Sequence, residues 1–99
     1  MMKYQISPKA RGDLVGIMNY TVANWGEEQG SKYLRTIYQT FDKIACGDIV
    51  YKQVFEDNKN INIVRCEHHY IFFVLKTKPI IFAVLHKKMD FINTLKTRL

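Results

Sequence analysis

The chain of 99 residues is sparing with the residue types that cross-link or interrupt a fold, having two cysteines, two prolines and five glycines. Cys46 and Cys66 are too far apart for a Cys-x-x-Cys motif, so neither a redox dithiol nor a zinc knuckle is indicated. Two buried thiols in a reducing compartment are expected. No segment approaches the ~18 apolar residues of a membrane span, and Met1-Met2-Lys3-Tyr4-Gln5 lacks the apolar core of a signal peptide. A soluble cytoplasmic protein, with no membrane partner, is the expectation. A glycine-rich phosphate loop, metal-ligand spacing and an activated-serine pattern are also missing, so no metal, cofactor or small-molecule substrate is expected. Acids are scarce late in the chain: from Lys76 onward, Lys76, Lys78, Lys87, Lys88, Lys96 and Arg98 stand against Asp90 alone. The net charge of +6, from 15 Lys and Arg against 9 Asp and Glu, is therefore concentrated there, and it suits an acidic protein or a nucleic acid.

What is present has a readable order. A chain of this length supports one domain, 1–99, that buries about two thirds of its unfolded surface. Lys3-Tyr4-Gln5-Ile6 alternates as a first strand. Ser7 can then cap a helix that Pro8 is suited to begin. Ala10, Leu14, Ile17, Met18, Thr21 and Trp25 recur at helical steps, and Gly26 ends the helix, predicting 8–25. Glu27-Glu28 favour an immediate restart at the positive end of a second helix dipole. Its stripe runs through Tyr33 or Leu34, Ile37, Tyr38, Phe41, Ile44 and Ala45 to Cys46-Gly47-Asp48. So short a link folds the two helices into an antiparallel hairpin. Gly12, Gly16 and Gly30 cost about 1 kcal/mol each against alanine and read as tolerated exposed positions, the alternative being close passage of backbones.

After a polar stretch at 51–60, read as a loop with at most a short irregular strand, three strands are predicted near 61–66, 69–76 and 79–87. The tight links Glu67-His68 and Thr77-Lys78 make them an antiparallel meander. Asp90 caps a short final helix, 91–97. The fold class is thus α+β: strand, antiparallel helical hairpin, three-stranded antiparallel meander and short C-terminal helix, with the first strand joining the sheet. Both faces of the last two strands are apolar, with Ile71, Phe73 and Leu75 opposite Tyr70, Phe72 and Val74. One hairpin covers one face, so the other must meet the final helix, another chain, or both.

Several segments together resemble the ParE toxins, a branch of the RelE/ParE superfamily of bacterial toxin–antitoxin systems. They are Ile6-Ser7-Pro8-Lys9-Ala10 with Asp13-Leu14 and Ile17; Trp25-Gly26-Glu27-Glu28-Gln29 with Tyr33; Phe41 with Ile44-Ala45; His69-Tyr70-Ile71-Phe72-Phe73; and Val84-Leu85-His86 with Met89-Asp90. The resemblance implies a helical hairpin on a curved sheet and a type II toxin that poisons DNA gyrase and blocks replication. It also implies neutralisation by a ParD-type antitoxin, through which operator DNA is reached only indirectly. Two positions depart from the pattern. Cys46-Gly47-Asp48-Ile49 replaces a proline that many relatives carry after the second helix, and Ala83 stands where a basic residue is frequent.

The rival within the superfamily is a RelE-type ribosome-dependent mRNA endonuclease, which needs a proton acceptor, a proton donor and cations around the phosphate. Arg65, His68, His69, His86, Lys87 and Lys88 carry suitable groups. His69 and His86 nonetheless sit in or at the ends of apolar strands, where packed histidines with a backbone-bonded ring nitrogen are expected. His68 reads as a solvated turn residue. Arg65 emerges at a sheet edge, positioned for a phosphate or for Glu67 or Asp90. A plain nucleic-acid-binding domain is the third class. The leading reading assigns target contact to Arg65, His86, Lys87 and Lys88, and antitoxin contact to an outward rim including Leu14, Met18, Tyr33 and Ile37. It assigns no catalytic residue. Trp25 is expected to anchor the hairpin, the alternative being that at the bend it reaches a partner, and Leu34, Ile37, Phe41 and Ile44 are expected to lie in the core.

Overall fold

The computed structural model describes residues 3–56 and 60–98. The chain forms β1 (Gln5–Ile6), α1 (Pro8–Trp25), α2 (Glu27–Cys46), β2 (Lys52–Gln53), β3 (Ile61–Cys66), β4 (His69–Leu75), β5 (Pro79–His86) and α3 (Phe91–Arg98). The predicted order and class hold, and the strands β4 and β5 each end one residue earlier than expected. Within 51–60 a two-residue strand forms at Lys52–Gln53, and the part of the expected loop at 57–59 lies outside the described residues.

Local chemistry accounts for the boundaries. Ser7 Oγ accepts the Ala10 amide at 3.2 Å, so α1 begins with one of its free N–H groups satisfied and with Pro8 where no amide is needed. Gly26, at φ 92°, adopts backbone that a side chain disfavours, and this single residue turns α1 into α2. Gly47 closes α2 in the left-handed region at φ 75°, while the Asp48 amide bonds back to Lys43 O at 2.9 Å.

The sheet has five strands in the order β1-β5-β4-β3-β2. β1 runs parallel to β5 and pairs only through Gln5 with Ile80 and Ile6 with Ile81. The other pairings are antiparallel. Between β4 and β5 the register shifts: Phe72 faces Ala83 and Phe73 faces Ile81, leaving Phe82 as the extra residue of a bulge. The hairpin packs on one face, where Leu14, Ile17, Ile37 and Phe41 meet Val64, Ile71, Phe73 and Val84. On the other face Leu95 and Phe91 of α3 join Phe72, Ala83 and Leu85. The second apolar face thus meets the final helix, one of the alternatives that the alternation of β4 and β5 left open.

Candidate functional site

β1 is too short to pair the whole outer edge of β5, and a polar clamp takes over where it stops. Arg98, at the end of α3, makes a two-pronged ion pair with Asp13 of α1, Nη1 to Oδ2 at 2.7 Å and Nη2 to Oδ1 at 2.8 Å. The same carboxylate accepts the Val84 amide at 2.9 Å, and the same guanidinium donates to the Phe82 carbonyl at 3.1 Å. Two backbone groups exposed by the bulge are therefore satisfied by side chains 85 positions apart in the chain. The clamp ties α1, β5 and α3 together. Asp13 raises the pKa of the Arg98 guanidinium further, mainly by hydrogen bonding to its charged form.

Beside this clamp a groove of about 1050 Å³ opens between α1 and the end of β5. Gly12, Gly16 and Ile17 line it from α1, and Val84, His86 and Met89 from β5 and the turn after it. Tyr20 and Trp25, 62% and 64% exposed, stand edge-to-face at 5.9 Å along its wall. Trp25 is thus not the buried hairpin anchor expected from its place before Gly26. The turn is made by glycine backbone, and the indole stays in solvent.

Tyr33 and the histidines also line the groove. Tyr33 Oη lies 2.7 Å from His69 Nδ1 and accepts the His68 amide at 3.2 Å, so the phenol proton is placed to donate to neutral His69. Burial, with help from His86 and His68, lowers the His69 pKa to about 4. The ring is therefore neutral at pH 7 and packs edge-to-face against His86 at 5.2 Å. Burial likewise raises the pKa of the Tyr33 phenol. His86 Nδ1 accepts the Lys88 amide at 3.1 Å, the backbone bond expected of a strand-end histidine. The partner of His69 is instead a side chain of α2, which strand alternation could not reveal.

The predicted site residues separate into groups. Arg65 pairs with Tyr70 across β3 and β4, whereas His69 pairs with His86 across β4 and β5, so sheet alternation puts Arg65 on the face opposite the histidine pair. The ring contacts agree: Tyr70 meets Phe91 of α3, and His69 meets Tyr33 of α2. Arg65 donates through Nε to the Glu67 carbonyl at 3.1 Å, not to a carboxylate. The Lys87 amide bonds to His68 O at 2.9 Å, bringing the turns after β3 and β5 together, and exposed Lys88 lines the groove. A nucleotide pocket built jointly by Arg65, His69 and His86 is incompatible with this placement. Among the described residues no group of three or more His, Cys, Asp or Glu is placed to hold a metal, and no helix is long and apolar enough to cross a membrane.

Two of the rim residues require correction. Leu14, 5% exposed, and Ile37, 0% exposed, lie in the hairpin-side core and present no outward surface. An apolar stripe marks what a helix buries, and these two positions are its buried centre. Met18 and Tyr33 are half-buried at its margin. Cys46 is exposed, contrary to the expectation of two buried thiols, because it falls in the last turn of α2. Cys66 is buried and accepts a hydrogen bond from Thr40 at 3.3 Å. The glycines divide: an added Cβ would meet nothing at Gly12 or Gly16, but at Gly30 it would lie 2.8 Å from Val22 Cγ2. Gly30 is therefore the close approach between α1 and α2. Ala83, at the position where a basic residue is frequent in the ParE pattern, is fully buried on the α3 side.

Comparison with known proteins is consistent along the chain. Residues 4–91 match the family described as "ParE toxin of type II toxin-antitoxin system, parDE". "Toxin ParE" of Escherichia coli is 33% identical over 101 residues, covering 100% of this chain and 98% of the relative. "Toxin ParE1" of Caulobacter vibrioides is 29% identical over 92 residues, covering 91% and 94% respectively. A solved structure, "Chromosomal ParDE TA system from P. aeruginosa", shares the fold with a TM-score of 0.73 at 19% identity, over 87% of this chain and 96% of that one. The capped hairpin, the bulged meander and these matches lead to one conclusion: the chain belongs to the ParE toxin family of type II toxin–antitoxin systems.

Proposed function

We propose that this toxin acts in the bacterial cytoplasm by trapping DNA gyrase on cleaved DNA, without making or breaking covalent bonds itself, and that a ParD-type antitoxin holds it inactive. The observation that carries the reading is the match of residues 4–91 to the ParE toxin family. The geometry supports it on the chemical side. Strand cleavage of RNA needs an acid, a base and a cation around one phosphate. Here Arg65 lies across the sheet from the histidine pair, and His69, with a pKa of about 4, is engaged by Tyr33.

Target contact is assigned to Arg65, His86, Lys87 and Lys88, at the end of the sheet where the turns after β3 and β5 meet. Antitoxin contact is assigned to Met18 and Tyr33, at the margin of the hairpin core. Gyrase, ATP and supercoiled plasmid are incubated with the purified toxin, then treated with detergent and protease. Linear plasmid should accumulate, and Lys88→Glu should reduce it at unchanged thermal stability. Cleavage of mRNA in the ribosomal A site that His86→Ala abolishes would replace this reading with the endonuclease. Inertness in both assays with salt-sensitive binding to bare DNA would replace it with a nucleic-acid-binding domain.

A further inference from the structure

We propose that a basic band on the β3 side of the molecule, formed by Lys32, Arg35 and Lys43 of α2 with Lys52 of β2 and Arg65 of β3, grips the phosphate backbone of the DNA on which gyrase is trapped. This rests on the gyrase reading above and adds the nucleic acid as a direct contact. The band borders the edge of the sheet opposite to β1. There α2 packs beside β3: Thr40 donates to Cys66 Sγ at 3.3 Å, and the Thr36 carbonyl lies 4.0 Å from the same sulfur. Burial raises the Cys66 thiol pKa, and Lys43 is among the charges that act on it, which places that ammonium next to β3. Lys52 stands opposite Ile63, and Arg65 is two residues along the same strand, so alternation puts both on the α3 side of this edge. The edge thus carries cations on both of its faces.

The fold makes little use of these charges. All five residues are exposed, and among the described residues none of them pairs with an acid. Lys43 suits the negative end of the α2 dipole, but Lys32 and Arg35, three positions apart, repel each other across one turn. Lys32 has Glu28 one turn earlier, whereas Arg35 and Lys43 have no acid three or four positions away on either side. Asp42 lies toward Tyr4 instead, whose phenol pKa is raised by burial and then by that carboxylate. Arg65 is held through Nε on the Glu67 carbonyl at 3.1 Å, which leaves its two Nη groups for a ligand.

Charge and shape select the occupant. From Lys32 to Lys43 the stripe on α2 spans about 16 Å of helix, and a duplex carries one negative charge per roughly 1.7 Å of its axis, so several phosphates fall within reach together. The stripe positions between the cations are Thr36 and Gln39, both polar, where a protein partner would need an apolar anchor. A second copy, in a chain of net charge +6, would bring like charges together. Phosphate contacts of this kind carry no base sequence, which suits a toxin whose DNA is chosen by gyrase.

The test uses the purified full chain and a fluorescently labelled duplex of mixed sequence, with binding read by anisotropy over a series of salt concentrations. The slope of log affinity on log salt should be about −4.5 for five phosphates neutralised. The triple variant Lys32→Gln/Arg35→Gln/Lys43→Gln should flatten that slope by about 2.7 and lower the yield of gyrase-dependent linear plasmid by about tenfold or more, at an unchanged melting temperature. A matched triple variant, Lys9→Gln/Arg11→Gln/Lys96→Gln, removes the same charge from exposed positions elsewhere and should keep both wild-type values. If the band variant binds duplex and poisons gyrase as the wild type does, the band is not the DNA contact and the gyrase reading stands. If the wild-type chain yields no linear plasmid, that reading falls and the proposal with it. Equal losses in the two triple variants would overturn the proposal in favour of net charge alone. Weaker binding of the band variant to DNA-free gyrase, with duplex affinity intact, would overturn it in favour of a protein contact, and binding confined to operator duplex with antitoxin present would overturn it in favour of the operator. Should the triple variant fail to fold, Arg35→Gln and Lys43→Gln singly should each flatten the slope by about 0.9, and unchanged slopes would overturn the proposal.

Discussion

Removing Asp13 tests how the end of β5 is held. The carboxylate accepts three hydrogen bonds, at 2.7 and 2.8 Å from Arg98 and at 2.9 Å from the Val84 amide, and the paired side chains are only 13% and 15% exposed. Asp13→Ala leaves a guanidinium short of water with its counter-charge gone and strands the Val84 amide at the sheet edge. Breaking a fully buried pair costs roughly 3–5 kcal/mol, and the residual exposure here places the expected loss near 3 kcal/mol. For a chain of about this length each kcal/mol moves the melting temperature by about 4–8 °C, so a drop of roughly 12–24 °C is expected. Arg98→Ala should cost a similar amount, because it leaves the carboxylate half-paired. The double variant removes both charges and should lose little more than either single one, a coupling of about 2 kcal/mol in urea unfolding. Coupling below about 0.5 kcal/mol, the size of an exposed pair, would refute the clamp.

Three further outcomes follow from the same geometry. Gly16→Ala should stabilise by up to about 1 kcal/mol, because the methyl enters open space, whereas Gly30→Ala should destabilise by roughly 1–2 kcal/mol against Val22; equal melting temperatures would contradict the assigned close approach. His69 has a folded-state pKa of about 4 against the ordinary histidine value of 6.5, so the unfolded chain binds the extra proton between those pH values and stability should fall on acidification from about 6.5 to 4. Allowing for partial exposure, the loss is about 1–2 kcal/mol, and His69→Gln should flatten that part of the profile; an unchanged slope refutes the assignment. Tyr33→Phe removes the phenol that joins His69 to the His68 amide and should destabilise by about 1–2 kcal/mol, with the His69 imidazole resonances shifting in NMR spectra.

Legibility tracked the range of the signal. The Ser7 cap, the turn at Gly26, the end at Gly47 and the alternation of β4 and β5 are local, and each marked its element within about a residue. Periodicity failed where it had to rank positions within a stripe: Leu14 reads as rim but is core, and Ile37, read both as core and as rim, is core, because spacing shows that a face is apolar and not how deeply the sheet covers each residue. Trp25 erred the other way, its place before Gly26 suggesting an anchor in a turn that needs only glycine backbone. The Asp13–Arg98 clamp spans 85 positions and leaves no local pattern. One clue was available: an acid between Ala10 and Ile17, at the border of a buried stripe, needs a partner. The bulge at Phe82, which turns the Val84 amide toward that acid, has no sequence mark of its own.

The central claim is that the molecule works by docking onto gyrase and performs no covalent chemistry. The most direct measurement is the detergent- and protease-treated plasmid assay with purified toxin and gyrase, run beside programmed ribosomes. Linear plasmid that rises with toxin and disappears on addition of the antitoxin, with intact mRNA, is the predicted result. Unaltered plasmid together with mRNA cut at the ribosomal A site would contradict it.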